Sequence, residues 1–211
     1  MNELVLRSLA GLTMILIALV AAFAGGYVFA VLCAAAATVM YFEWSRIVRG
    51  WGVGWHVGGF AYALIPAISL LWVRDRAGSQ GLELILWVFI ITWATDIGAY
   101  FAGRAIGGPK LAPQISPNKT IAGLVGGMAA AGILAGAWVH YAHLDRLLLS
   151  LAPVFALAAQ GGDLFESWLK RRAGVKDSGR MLPGHGGVLD RLDGLVPVAT
   201  LTALVVFAGL A

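Results

Sequence analysis

The residues between Gly161 and Asp193 read GGDLFESWLKRRAGVKDSGRMLPGHGGVLDRLD, and they hold an unusual share of the chain's charge. The chain has 15 Lys and Arg and 11 Asp and Glu, and eleven of these lie between Asp163 and Asp193. Asp163, Glu166, Ser167, Lys170 and Arg171 are spaced to form one polar stripe on a helix. Pro183 with Gly184, Gly186 and Gly187 then breaks that helix and lets backbone approach closely. Asp190 and Asp193, three apart, can share a face where the next helix begins. Carboxylates interleaved with Lys170, Arg171, Lys176 and Arg191 suit a hard cation that bridges the protein to phosphates. Mg²⁺ is held in that manner, by one or two carboxylates plus substrate oxygens, while Lys and Arg neutralise the remaining phosphate charge. A patch that merely touched anionic lipid would gain about 1 kcal/mol per basic residue, but it gives no reason for Asp163, Asp190 and Asp193. His185 reads either as a phosphate contact that protonates a leaving group or as a turn residue bonded to backbone.

A second polar stretch, TDIGAYFAGRAIGGPKLAPQISPNKTIAG, starts at Thr95. Its Asp96 lies inside an apolar segment, where a charge costs about 2.5–3.5 kcal/mol on insertion scales and is functional by default. An internal pair with Arg104 is the alternative. Arg104, Lys110, Ser116, Asn118, Lys119 and Thr120 follow, on a loop stiffened by Pro109, Pro113 and Pro117. Basic and hydroxyl groups on a rigid loop suit an oligophosphate, although no GxxxxGK[ST] phosphate loop is present.

These groups must be positioned by an oily scaffold. The 211 residues are 60% hydrophobic and 12% charged, about half the charge of a soluble domain. Seven apolar segments can be read, roughly Leu4–Ala24, Tyr27–Phe42, Val57–Val73, Leu82–Phe101, Ile121–His140, Leu147–Gln160 and Leu195–Ala211. They predict an all-α, polytopic membrane bundle of about seven transmembrane helices, forming one domain over residues 1–211. A cleaved leader ending near Ala22-Phe23-Ala24 is the alternative for the first segment. Trp44, Trp51, Trp55 and Trp72 at segment ends read as an aromatic belt. The single cysteine, Cys33, excludes an intramolecular disulfide.

Alternating the seven segments puts twelve of the 15 basic residues on one side and Arg74, Arg76 and Arg146 on the other. The positive-inside rule makes the richer side cytoplasmic. Both polar stretches fall on it, so one site facing the cytoplasm can use both.

From Ser167 to Asp193 the chain resembles, position by position, the signature of phosphatidate cytidylyltransferases (CDP-diacylglycerol synthases). The matching positions are Ser167, Lys170-Arg171, Lys176-Asp177, Pro183, His185-Gly186-Gly187, Asp190-Arg191 and Asp193. The stretch from Asp96 to Thr120 is similar to that family as well, so the resemblance covers a catalytic half from about residue 92 to 211. It implies transfer of a cytidylyl group from CTP to phosphatidic acid, giving CDP-diacylglycerol and pyrophosphate, with Mg²⁺ as cofactor. It implies Asp163 and Asp190 as metal carboxylates, with Asp193 in support and Lys170, Arg171 and His185 beside them. CTP and its phosphates fall to Asp96, Arg104, Lys110, Ser116, Asn118, Lys119, Ser167, Lys176, Asp177, Gly186, Gly187 and Arg191. Membrane lipid and a second copy of the chain are the implied partners, nucleic acid is not, and a bacterial inner or plasma membrane is the implied location. A CTP-dependent polyprenol kinase or isoprenoid-lipid cytidylyltransferase is the alternative enzyme. A transporter is the alternative outside enzymes, and it would need polar residues spread through several segments.

Overall fold

The computed structural model describes residues 3–76, 78–179, 181–182 and 186–210. His185, with Pro183 and Gly184, lies outside them. Helices dominate: α1 (Glu3–Ala24), α2 (Gly26–Ile47), α3 (Val53–Arg76), α4 (Gly81–Ile106), α5 (Ile121–Tyr141), α6 (Leu147–Arg172), the one-turn α7 (Leu189–Leu192) and α8 (Leu195–Phe207). Five of them, α2 to α6, are long and apolar enough to cross a membrane. The apolar part of α1 and the 13-residue α8 are shorter. At 1.5 Å per residue α8 is about 20 Å long, less than the ~30 Å hydrocarbon thickness. Each of the seven predicted segments contains a helix, of which five are long enough to span a membrane, and the bundle is all-α and polytopic in character.

The α4 helix is the hub. Leu84, Ile85, Trp87, Val88 and Ile91 on it are 2% exposed or less, and it packs against α1, α3, α5, α6 and α8. Outward-facing Leu12, Val31, Ile68, Ile133 and Val154 present an apolar surface suited to lipid. Lipid offers no hydrophobic drive between helices, so close packing must come from small residues. The α4–α5 seam shows this: a Cβ on Gly98 would meet Gly126 O at 2.7 Å, and one on Gly123 would meet Ala99 O at 2.9 Å. Pro66 and Pro153 sit inside α3 and α6, as membrane helices tolerate.

The second polar stretch is not an irregular loop. It folds as an antiparallel hairpin of β1 (Lys110–Ala112) and β2 (Ser116–Thr120). Pro113 occupies the second position of the turn closed by the Ile115 amide on Ala112 O at 3.1 Å, where its fixed φ is favourable. Thr120 ends β2 and caps α5, its hydroxyl accepting from the Gly123 amide at 3.0 Å. The hairpin is therefore fixed to the seam that holds α4 and α5 together.

One belt residue is corrected. Trp44 is 3% exposed, and its indole donates to Trp55 O at 2.8 Å. Its neighbours are Tyr62 and Phe165, so it is an internal packing residue. Trp51 and Trp55 instead surround the Arg172 guanidinium together with Trp168, at 5.0, 5.2 and 5.5 Å from the ring centres.

Candidate functional site

At 26 residues α6 is about 39 Å long, longer than the hydrocarbon layer. Its last turns can therefore stand in the interface, and they carry the predicted stripe. Asp163 begins that stripe. Its Oδ2 lies 2.6 Å from Lys119 Nζ on β2, and its Oδ1 accepts from the Ser167 hydroxyl at 3.3 Å. This ion pair joins the two polar stretches that the sequence places on one side. Asp96, exposed on α4, lies within electrostatic reach of Asp163, Lys119 and Arg191. Arg104 does not pair with Asp96 but donates to the Tyr100 hydroxyl at 3.1 Å.

One turn further along α6, Lys170 is held between two carboxylates. Its Nζ is 2.8 Å from Glu166 Oε2 and 2.6 Å from Asp190 Oδ1. Asp190 also accepts the Ser178 amide at 3.0 Å and the Gly187 amide at 2.8 Å through Oδ2. Burial pushes its carboxyl up, but hydrogen bonding with Glu166, Lys170 and the Gly187 amide pulls it below the ordinary value. Asp190 therefore ties the end of α6 to the loop between α6 and α7.

Asp193 follows α7 and has different partners from Asp190. Its Oδ1 accepts the Gly194 amide at 2.8 Å. Burial, then the charges of Asp163 and Asp96, pushes its carboxyl up to about 7, with the Gly194 amide and Lys119 opposing. Close by, the Oε1 atom of Glu166, a residue 1% exposed, is buried with no hydrogen-bond partner. Unpaired carboxylate oxygen and clustered negative charge fit a hard divalent cation. Among the described residues no three His, Cys, Asp or Glu side chains form a closed cage, and Mg²⁺ held partly by substrate phosphates does not need one.

The remaining residues surround this centre unevenly. Lys110, Asn118, Lys176, Asp177 and Arg191 are exposed, and Ser116 and Gly186 are half-buried. Arg171 turns back to donate to Val175 O at 3.0 Å and closes the end of α6. Gly187 is a packing glycine, because a Cβ there would collide with the Ser178 hydroxyl.

Sequence reasoning passes over Glu43. It is 0% exposed on α2, and it accepts the Ser178 hydroxyl at 3.0 Å, the Leu189 amide at 2.8 Å and the Val188 amide at 3.2 Å. The signal that singles out Asp96, an acid inside an apolar segment, does not reach Glu43, which stands one residue past the Tyr27–Phe42 segment and falls inside a helix only because α2 continues to Ile47.

Comparison with known proteins matches the same region. The model of the family described as "Cytidylyltransferase family" matches residues 49–208. The phosphatidate cytidylyltransferase of Brucella suis biovar 1 (strain 1330) is 47% identical over 176 residues, covering 82% of this chain and 63% of its own length. The same-named protein of Staphylococcus aureus (strain COL) is 48% identical over 126 residues, covering 58% of this chain and 48% of its own. The chain thus spans less than two thirds of the length of these curated relatives.

Proposed function

Because the chain belongs to the cytidylyltransferase family, we propose that it transfers the cytidylyl group of CTP to phosphatidic acid in phospholipid synthesis. One observation carries the reading. The Lys119–Asp163 pair draws the hairpin and the α6–α7 stretch into a single centre, with carboxylates and basic side chains together at one end of an apolar bundle. A phosphate oxygen of phosphatidic acid attacks the α-phosphorus of CTP. The new P–O bond forms as the bond to the β-phosphate oxygen breaks, and pyrophosphate leaves. The nucleophile is already an anion, so no strong general base is needed. The cost lies in bringing anions together, and the protein meets it by positioning and charge neutralisation.

Lys119 and Lys170 are the internal counter-charges of Asp163 and Asp190, and in this reading their ammonium groups exchange part of that pairing for the incoming phosphates. The exposed Lys110, Lys176 and Arg191 add positive charge around them. Asp163 and Asp190 would hold Mg²⁺, with Asp193 in support. When bound, the ion supplies neutralisation of charge on the phosphates. The twelve-to-three division of basic residues supports a centre facing the cytoplasm, within reach of soluble CTP and of the lipid headgroup plane.

Purified protein given CTP, Mg²⁺ and phosphatidic acid should release pyrophosphate and form CDP-lipid. ATP should be a poor substrate, and equal turnover with ATP would overturn the assignment. Phosphorylation of a polyprenol, with no CDP-lipid formed, would favour the kinase reading.

A further inference from the structure

Glu43 belongs to α2, outside the half of the chain that carries the signature, yet both its oxygens are used by the signature loop. Oε2 accepts the Ser178 hydroxyl and the Leu189 amide, and Oε1 accepts the Val188 amide. A carboxylate buried this fully is retained only where donors surround it. The loop is shaped to supply them. A Cβ on Gly179 would collide with the Glu43 carboxylate, and one on Gly187 would lie 2.5 Å from Glu43 Oε2. Only glycine at these positions lets the loop backbone close over the acid. From the opposite side, Asp190 takes the Ser178 and Gly187 amides. The loop is thus pinned between a transmembrane carboxylate on α2 and the carboxylate of α7.

We propose that Glu43 is a positioning residue for nucleotide binding, fixing Ser178 and the Val188–Leu189 backbone so that the loop bearing Lys176 and Asp177 is set before the nucleoside triphosphate arrives. The kinetic part of this inference rests on the cytidylyltransferase reading; the structural part does not. Without the clamp the loop spends only part of its time in the competent arrangement. Apparent affinity falls by that fraction, so a loop ordered one-tenth of the time raises the apparent KM about tenfold. The effect should fall on CTP and spare the lipid, whose approach is from the bilayer.

The test uses the full chain in lipid nanodiscs. E43Q keeps the shape but offers one accepting oxygen to the three donors. S178A removes one donor and leaves both amide bonds. Steady-state kinetics with CTP and phosphatidic acid, and hydrogen exchange at the Val188 and Leu189 amides, are measured on each. E43Q should raise the KM for CTP at least tenfold, equivalent to about 1.4 kcal/mol, leave the KM for phosphatidic acid within about twofold, and speed exchange at both amides. Protection in α4 and α5 should stay as in the wild type, and S178A should shift CTP binding in the same direction by less. An E43Q protein with the wild-type KM for CTP overturns the proposal. So does uniformly faster exchange through all helices with unchanged kinetics per folded molecule, which makes Glu43 a stabilising group only. Should E43Q not fold, S178A with unchanged CTP kinetics overturns it. Wild-type protein that leaves CTP and phosphatidic acid unreacted defeats the functional reading, whereas unchanged Val188 and Leu189 exchange in E43Q defeats this one.

Discussion

Replacing Asp190 by Asn separates the charge of this residue from its shape. The carboxylate takes one ammonium, from Lys170 at 2.6 Å, and two backbone amides, from Ser178 and Gly187 at 3.0 and 2.8 Å. An asparagine can turn its oxygen to the two amides, but its NH₂ then faces the Lys170 ammonium, donor against donor. One charged hydrogen bond is lost and two are reduced from charged to neutral strength. With charged bonds at about 1.5–3 kcal/mol and neutral ones at about 0.5–1.5, the change is roughly 3.5–6 kcal/mol. Lys170 keeps Glu166 at 2.8 Å, which offsets part of it; about 3 kcal/mol then weighs against the ordered loop, and a competent fraction lowered to that extent costs about two powers of ten in kcat/KM. D190N should therefore insert and fold, since the helices are held by the bilayer and by packing at the α4 hub. Its kcat/KM for CTP should drop about a hundredfold. Incorporation of labelled CTP into lipid by purified protein, normalised to the monodisperse fraction on size exclusion, gives the number. Adding K170M to D190N should cost much less than the sum of the single changes, because the two side chains share one interaction. The reasoning is refuted by a well-folded D190N that keeps kcat/KM within threefold of wild type, or by strict additivity in the double variant.

Lys119→Met should weaken CTP use and destabilise the chain by about 1–2 kcal/mol, between the values for exposed and buried pairs, since the two side chains are 17% and 30% exposed; thermal melting and CTP kinetics check both parts. Asp163→Asn should abolish most Mg²⁺-dependent turnover, whereas Asp145→Asn, which keeps the cap on the Leu147 amide, should be neutral in the same assay. Asp193 is pushed to about 7 when folded, against an ordinary 3.8, so folding favours its protonated form. Its contribution to stability is complete below pH 3.8 and is lost as pH rises towards 7; melting in divalent-free buffer should show that slope, and Asp193→Asn should flatten it. A cysteine at the exposed Lys176 should react with an impermeant thiol reagent only from the cytoplasmic side, and labelling from outside intact cells would reverse the topology; Ser178, buried at 6% exposure, is unsuited to that probe.

What the sequence determined by itself is what local composition and spacing control. Seven apolar segments announce seven helices because a chain in lipid must satisfy its backbone within each segment. The Asp163–Arg171 stripe was legible because i, i+3, i+4 spacing places side chains on one helical face whatever lies beside it, and the signature from Ser167 to Asp193 named the family. The tertiary structure decided the pairings. Lys119 meets Asp163 across 44 positions of sequence, and Glu43 meets Leu189 across 146; no periodicity encodes either contact, because each depends on how whole helices pack. Arg104 turns to Tyr100, one helical turn away, rather than to Asp96, two turns away. The hairpin at 110–120 was hidden for a related reason. Its strands of three and five residues are too short to show alternation, and Pro113 and Pro117 within it, with Pro109 just before, make the segment read as loop. Asp190 and Asp193 lie three apart and were expected to share a face, yet one clamps Lys170 and the other sits with Asp163 and Asp96. Spacing sets the direction of a side chain on its own element, and only the packing of the other elements supplies what it meets there.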